Sequence, residues 1–143
     1  MNGRKIYLAS SWRNERQPEV VNALRAAGHL VYDFRNPPSG AGFEWAVIDP
    51  GWQDWSPSAF RDALDHDAAQ AGYSNDFEAM QWADTCVLLL PCGRSAHMEA
   101  GWMAGAGKQV FILLTAKEEP ELMYRMANGI CLSVGELLAR LHR

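Results

Sequence analysis

Cys86-Val87-Leu88-Leu89-Leu90 is an unbroken apolar run, entered through Asp84-Thr85 and left through Pro91-Cys92-Gly93. A strand that shows neither face to water reads this way, and such strands occupy the centre of parallel sheets covered by helices on both sides. Around it, apolar segments of strand length alternate with segments of helical period. Residues 5–9 read as a first strand, ended by Ser10-Ser11. Val20, Val21, Leu24 and Ala27 then recur at helical spacing, and Gly28 is placed to stop that helix. Residues 29–34 form a second strand, giving a strand–helix–strand unit whose crossover should be right-handed. Beyond the central strand, residues 95–106 read as a helix of small residues and residues 109–114 as a further strand. A short fifth strand is expected over 127–132 and a closing helix over 134–141. The alternation predicts one α/β domain over residues 1–143, a doubly wound, mostly parallel five-stranded sheet of flavodoxin-like or Rossmann-like type.

Residues 36–55 interrupt this rhythm. Pro37, Pro38, Gly40, Gly42, Pro50 and Gly51 break any regular element, yet Phe43, Trp45, Trp52 and Trp55 lie among them. An irregular insert this rich in large aromatics reads as a functional lid; the plain alternative is a plug on a sheet edge or subunit contact. Ser56-Pro57 then opens a helix, with serine as N-cap and proline at the first helical position. That helix is expected to run to about Gln70, with Ala71-Gly72 as a break and Ser74 capping a second helix through Trp82.

Composition excludes several function classes. Apolar residues make up 48% and charged residues 21%, an ordinary globular balance, and the net charge of −4 argues against a nucleic-acid polymer as partner. No apolar stretch approaches the ~20 residues of a membrane-spanning helix, and the start Met1-Asn2-Gly3-Arg4-Lys5 leaves no room for a signal-peptide core. Cys86, Cys92 and Cys131 are odd in number and lack metal-ligand spacing, so a cytoplasmic protein with reduced thiols and no metal is expected.

In doubly wound sheets, ligands bind outside the carboxyl ends of the strands. Those ends carry Ser10, Ser11 and Trp12 after the first strand, and Gly93, Arg94 and Ser95 after the central one. The latter lead into the helix of Glu99, expected in its first turn, where the helix dipole would favour the ionised form. An ionised, oriented carboxylate is what attack on an anomeric carbon requires. Asp76 is the second carboxylate of interest, expected near a helix start. Each acid taken alone reads equally well as a capping residue. His97 lies two positions from Glu99 and should face another side of its helix. Asp84 reads as a strand-entrance residue, and Asp62, Asp65 and Asp67 as a solvated face.

Together these segments resemble the nucleoside 2-deoxyribosyltransferase family, whose superfamily includes nucleoside 5′-monophosphate N-hydrolases. The resemblance rests on residues 5–10, on Tyr73-Ser74-Asn75-Asp76, and on the strand from Ala83 to Leu90. Its most specific part is Gly93-Arg94-Ser95-Ala96-His97-Met98-Glu99-Ala100-Gly101, followed by Gly105-Ala106-Gly107-Lys108-Gln109-Val110. The resemblance implies Glu99 as the nucleophile of a covalent glycosyl-enzyme intermediate and Tyr7 as the residue orienting it. It implies that Asp76 contacts the sugar or helps protonate the departing base, with the two carboxyls roughly 5 Å apart as in retaining glycosidases. Ser10, Ser11, Trp12, Gly93, Arg94, Ser95, His97, Trp45 and Trp52 become candidate substrate contacts. The family's transferases carry a base-contacting aspartate six positions before the nucleophile, where this chain has Gly93. Transfer between nucleobases, hydrolysis of a nucleoside monophosphate and non-catalytic nucleotide binding therefore all stay open. The resemblance further implies no cofactor, small-molecule nucleosides, nucleotides and nucleobases as partners, and a homo-oligomer, for which Trp102 and Met103 are candidate contacts.

Overall fold

The computed structural model describes residues 3–142. Strands β1 (Lys5–Ala9), β2 (Leu30–Tyr32), β3 (Thr85–Leu89), β4 (Gln109–Leu113) and β5 (Gly129–Cys131) form one sheet in the order β2-β1-β3-β4-β5. Every pairing is parallel, so the sheet is wholly rather than mostly so. All five residues of β3 are buried, as its apolar run requires.

The two faces are covered by different helices. Ile6, Leu8, Val87, Leu89 and Phe111 meet Val20, Val21 and Leu24 of α1 (Gln17–Ala26) and Leu137 and Leu141 of α5 (Val134–His142). On the other face, Tyr7, Ala9, Tyr32, Cys86 and Leu88 meet Ala79 and Met80 of one long helix and Ala96, Ala100 and Met103 of another. In chain order these helices are α2 (Pro57–Ala63), α3 (Asp67–Trp82), which carries Ala79 and Met80, and α4 (Arg94–Gly105), which carries the other three. From β1 the chain crosses outward to β2 on one side and later returns to β3 on the other. The connections diverge between β1 and β3, and it is at the carboxyl ends of the strands beside such a switch point that ligands bind in sheets of this kind.

Local chemistry explains most boundaries. Gly28 adopts φ +94° beyond α1, a left-handed stop that suits glycine. The Ser56 side chain accepts from the Ala59 N–H at 3.2 Å, with Pro57 opening α2. Several expectations are corrected. The helical break falls at residues 64–66, where His66 caps α3 by accepting from Ala68 N–H, and not at Ala71-Gly72. Ser74 is therefore inside α3 rather than its cap, and Asp76 sits well within the helix rather than at its start. Glu99 is the sixth residue of a helix beginning at Arg94, past the first turn. Asp33 and Phe34 lie beyond β2, and the aromatic insert holds two short 3-10 turns, Trp45–Val47 and Trp52–Asp54. Another such turn, Leu122–Met126, follows β4. Met103 is fully buried core, leaving Trp102 as the exposed member of that pair. Asp62, Asp65 and Asp67 are exposed as expected, and Asp84 accepts the Lys5 N–H at the strand entrance.

Candidate active site

Two carboxylates come from the two helices on one face of the sheet, Glu99 from α4 and Asp76 from α3. Glu99 shares the sheet-facing stripe of α4 with Ala96, three residues before it, and Met103, four after, both buried. Asp76 stands in the same relation to Ala79 and Met80 of α3. Each is half-buried and each accepts a hydrogen bond from a tyrosine on the sheet beneath. Tyr7 donates to Glu99 Oε2 at 2.6 Å, and Tyr32 donates to Asp76 Oδ1 at 2.9 Å. The tyrosines are register partners on β1 and β2, and their rings stack at 5.4 Å with planes 13° apart. Tyr7, Glu99 and Asp76 are thus brought together as the resemblance implied. Tyr32 was not singled out from the sequence, although parallel pairing of two Tyr-bearing strands was the available signal.

Burial decides the electrostatics. Desolvation raises the Glu99 pKa to about 7, the Tyr7 hydrogen bond pulls it back, and the charge of Asp76 adds to the rise. This corrects the expectation of a dipole-favoured ion, because the dipole's influence fades beyond the first turn. Asp76 is also raised by desolvation, against the lowering effect of its bond from Tyr32. The Asp76 charge is near enough to oppose ionisation of Glu99. Desolvation and these carboxylates hold both tyrosines far above their ordinary range, so they act as neutral donors. Burial, with the charges of Glu118 and Glu99, pushes Cys92 up to about 12, which leaves it a protonated thiol near neutrality.

The other candidates divide. Ser10 donates to the Leu89 carbonyl at 3.1 Å, tying β1 to β3, and Ser11 Oγ accepts from the Arg13 N–H. Trp12 is largely exposed, lies edge-on to Phe34, and has the Arg35 guanidinium over its ring. Arg35 Nη2 also donates to the carbonyls of Ser11, Trp12 and Asn14 at 2.8–2.9 Å, clasping the loop after β1. Gly93, Arg94 and Ser95 are exposed at the start of α4. His97 turns away from Glu99: its Nδ1 meets the Gly93 carbonyl and its Nε2 the Tyr124 hydroxyl at 2.9 Å. It borders an apolar recess of about 290 Å³ between α4 and the Leu122–Met126 turn, whose walls do not include Glu99. Arg35 and Asn14 were not foreseen, because carbonyl clasps of this kind leave no motif.

The insert bridges the loop after β1 and α3. A Cβ on Gly42 would lie 2.7 Å from both the Phe34 carbonyl oxygen and the Trp12 ring, so only glycine permits that approach. A Cβ on Gly72 would lie 2.8 Å from Phe43 Cβ, which therefore rests on α3 one turn before Asp76. Trp45 meets Phe43, Trp55 and Phe60 edge-on, at centroid distances of 4.8–5.7 Å. Trp52 is half-buried and, among the described residues, joins no other ring.

No protein-family model and no curated protein sequence matches the chain. Solved structures do. A 2-deoxyribosyltransferase from the psychrotolerant bacterium Bacillus psychrosaccharolyticus is 21% identical, with a TM-score of 0.63 over 95% of this chain and 94% of its own. The Clostridium botulinum CMP N-glycosidase BcmB is 18% identical, with a TM-score of 0.54 over 96% of this chain and 98% of its own. The chain therefore has the fold of both a deoxyribosyltransferase and a nucleotide N-glycosidase, the fold that its motifs implied.

Proposed function

We propose that the protein is a nucleoside 2-deoxyribosyltransferase that works through Glu99. The observation carrying this reading is the 2.6 Å bond from Tyr7 to Glu99, set beside the stacked Tyr32–Asp76 pair. A glutamate left in water or capping its own helix would serve a binding module equally well. Here it is drawn out of water and held at one oxygen, which leaves the other free to attack. In the first half-reaction that oxygen bonds to the anomeric carbon as the C–N bond breaks, and its electron pair leaves with the base, which takes up a proton. In the second, a ring nitrogen of another base attacks the same carbon, loses its proton, and releases the carboxylate. Both transition states carry oxocarbenium character, which an ionised Asp76 stabilises. The aromatic insert would stack a base and exclude the water that otherwise intercepts the intermediate. This chemistry calls for no metal or organic cofactor.

A second reading, hydrolysis of a nucleoside 5′-monophosphate, is favoured by Gly93 standing where the family's transferases have an aspartate. Exposed Arg94 and Ser95 at the start of α4, together with the loop of Ser11 and Arg13, would hold a phosphate. We also place a second copy of the chain against the aromatic ridge of exposed Tyr73 and Trp102, joined by half-buried Phe77, whose rings pack in series at 5.5 and 5.0 Å. Sedimentation at the mass of a single chain would remove that assembly.

The deciding experiment is a chromatographic assay with deoxynucleosides and their monophosphates, with and without a second base, beside Glu99→Ala. A new nucleoside that needs the acceptor base and vanishes in the variant is the expected result. Free base from monophosphates alone would establish the hydrolase, and no turnover would overturn the enzymatic reading.

A further inference from the structure

We propose that Tyr32 is a positioning residue, which with Tyr7 forms a two-ring spacer that transfers the separation of β1 and β2 to the carboxylates Asp76 and Glu99. Neighbouring strands lie about 4.8 Å apart, and retaining glycosidases hold their two carboxyls roughly 5 Å apart. In this chain those spacings are linked through side chains. Tyr7 and Tyr32 are opposite one another in the parallel register and project to the same face of the sheet. Their rings run nearly parallel at 5.4 Å, so neither can tilt without displacing the other. Each hydroxyl ends on one carboxylate oxygen, at 2.6 and 2.9 Å. Both tyrosines are buried, at 1% and 8% exposure, so the spacer is fixed by the core and not by solvent-facing contacts. The carboxylates come from different helices, α3 and α4, and the stack on the sheet gives both the same reference.

The kinetic arm of the test rests on the function proposed above; the spectroscopic arm does not. Tyr32→Phe keeps the ring, the stack and the burial, and deletes only the hydroxyl. Carboxyl titrations followed by carbon-13 NMR in protein labelled at Asp and Glu side chains give the first readout. The bond from Tyr32 lowers the Asp76 pKa, so Asp76 should titrate at higher pH in the variant. In the kinetic arm, kcat should fall roughly tenfold to a hundredfold with a much smaller change in KM, since the lost contact orients a group that acts on the transition state. Unchanged titration of Asp76 would overturn the proposal, as would a kcat equal to that of the unaltered protein. If the unaltered protein turns over no substrate, the functional reading falls and the titrations alone decide Tyr32.

Discussion

Burial and the charge of Asp76 oppose ionisation of Glu99, and the Tyr7 hydroxyl favours it; the outcome is a pKa of about 7. A nucleophile must be ionised to attack, so kcat/KM should rise with pH through about 7 and level above it. The neighbours set where that limb falls. Tyr7→Phe removes a bond that stabilises the carboxylate and should move the limb upward by on the order of one pH unit. Asp76→Asn removes the repelling charge and should move it downward, while lowering the plateau because the oxocarbenium loses its counter-charge. A pH profile that stays in place in both variants would show that Glu99 is not the titrating group.

The elements explain why the site was partly legible. β1, β3 and α4 carry continuous local signals, an apolar strand or a small-residue stripe, and these point to Glu99, whereas the role of Tyr7 comes only from the family resemblance. The start of α3 gave a weaker signal. Gly72 looked like a helix break, but its hydrogen-bonded neighbours carry the helix through, and the glycine is there because Phe43 occupies the space of a side chain. A long-range contact of that kind has no counterpart in local sequence. Lys108 is similar: its ammonium donates to the carbonyls of Met80, Gln81 and Ala83 at the end of α3, fixing that helix from the far side of α4. The seat of Phe43 makes a separable prediction. Gly72→Ala should favour the helix itself by roughly 0.5–1 kcal/mol, yet it must lift Phe43 from its place one turn before Asp76. With the carboxylates undisturbed, KM should rise about threefold to tenfold, the equivalent of ~1 kcal/mol of lost contact, with kcat little changed. Steady-state kinetics check this, and an unchanged KM would remove the insert from substrate binding.

For the molecule as a whole, the site is a cost to stability that depends on pH. In the unfolded chain Glu99 ionises near the ordinary glutamate value of 4.5, whereas in the folded chain it holds its proton to about 7. Below both values each state is protonated and Glu99 contributes no pH-dependent term. Between them the folded state binds more protons, so stability falls as pH rises, and above about 7 the full penalty is in force. Glu99→Gln keeps the shape and still offers an oxygen to the Tyr7 hydroxyl, but it cannot ionise. It should therefore abolish turnover while stabilising the fold at pH 8 by on the order of 1–3 kcal/mol, and by little at pH 5. Thermal unfolding of both proteins at the two pH values measures this directly. A gain of several degrees confined to the higher pH is expected; an equal gain at both would trace the effect to packing and not to the buried charge.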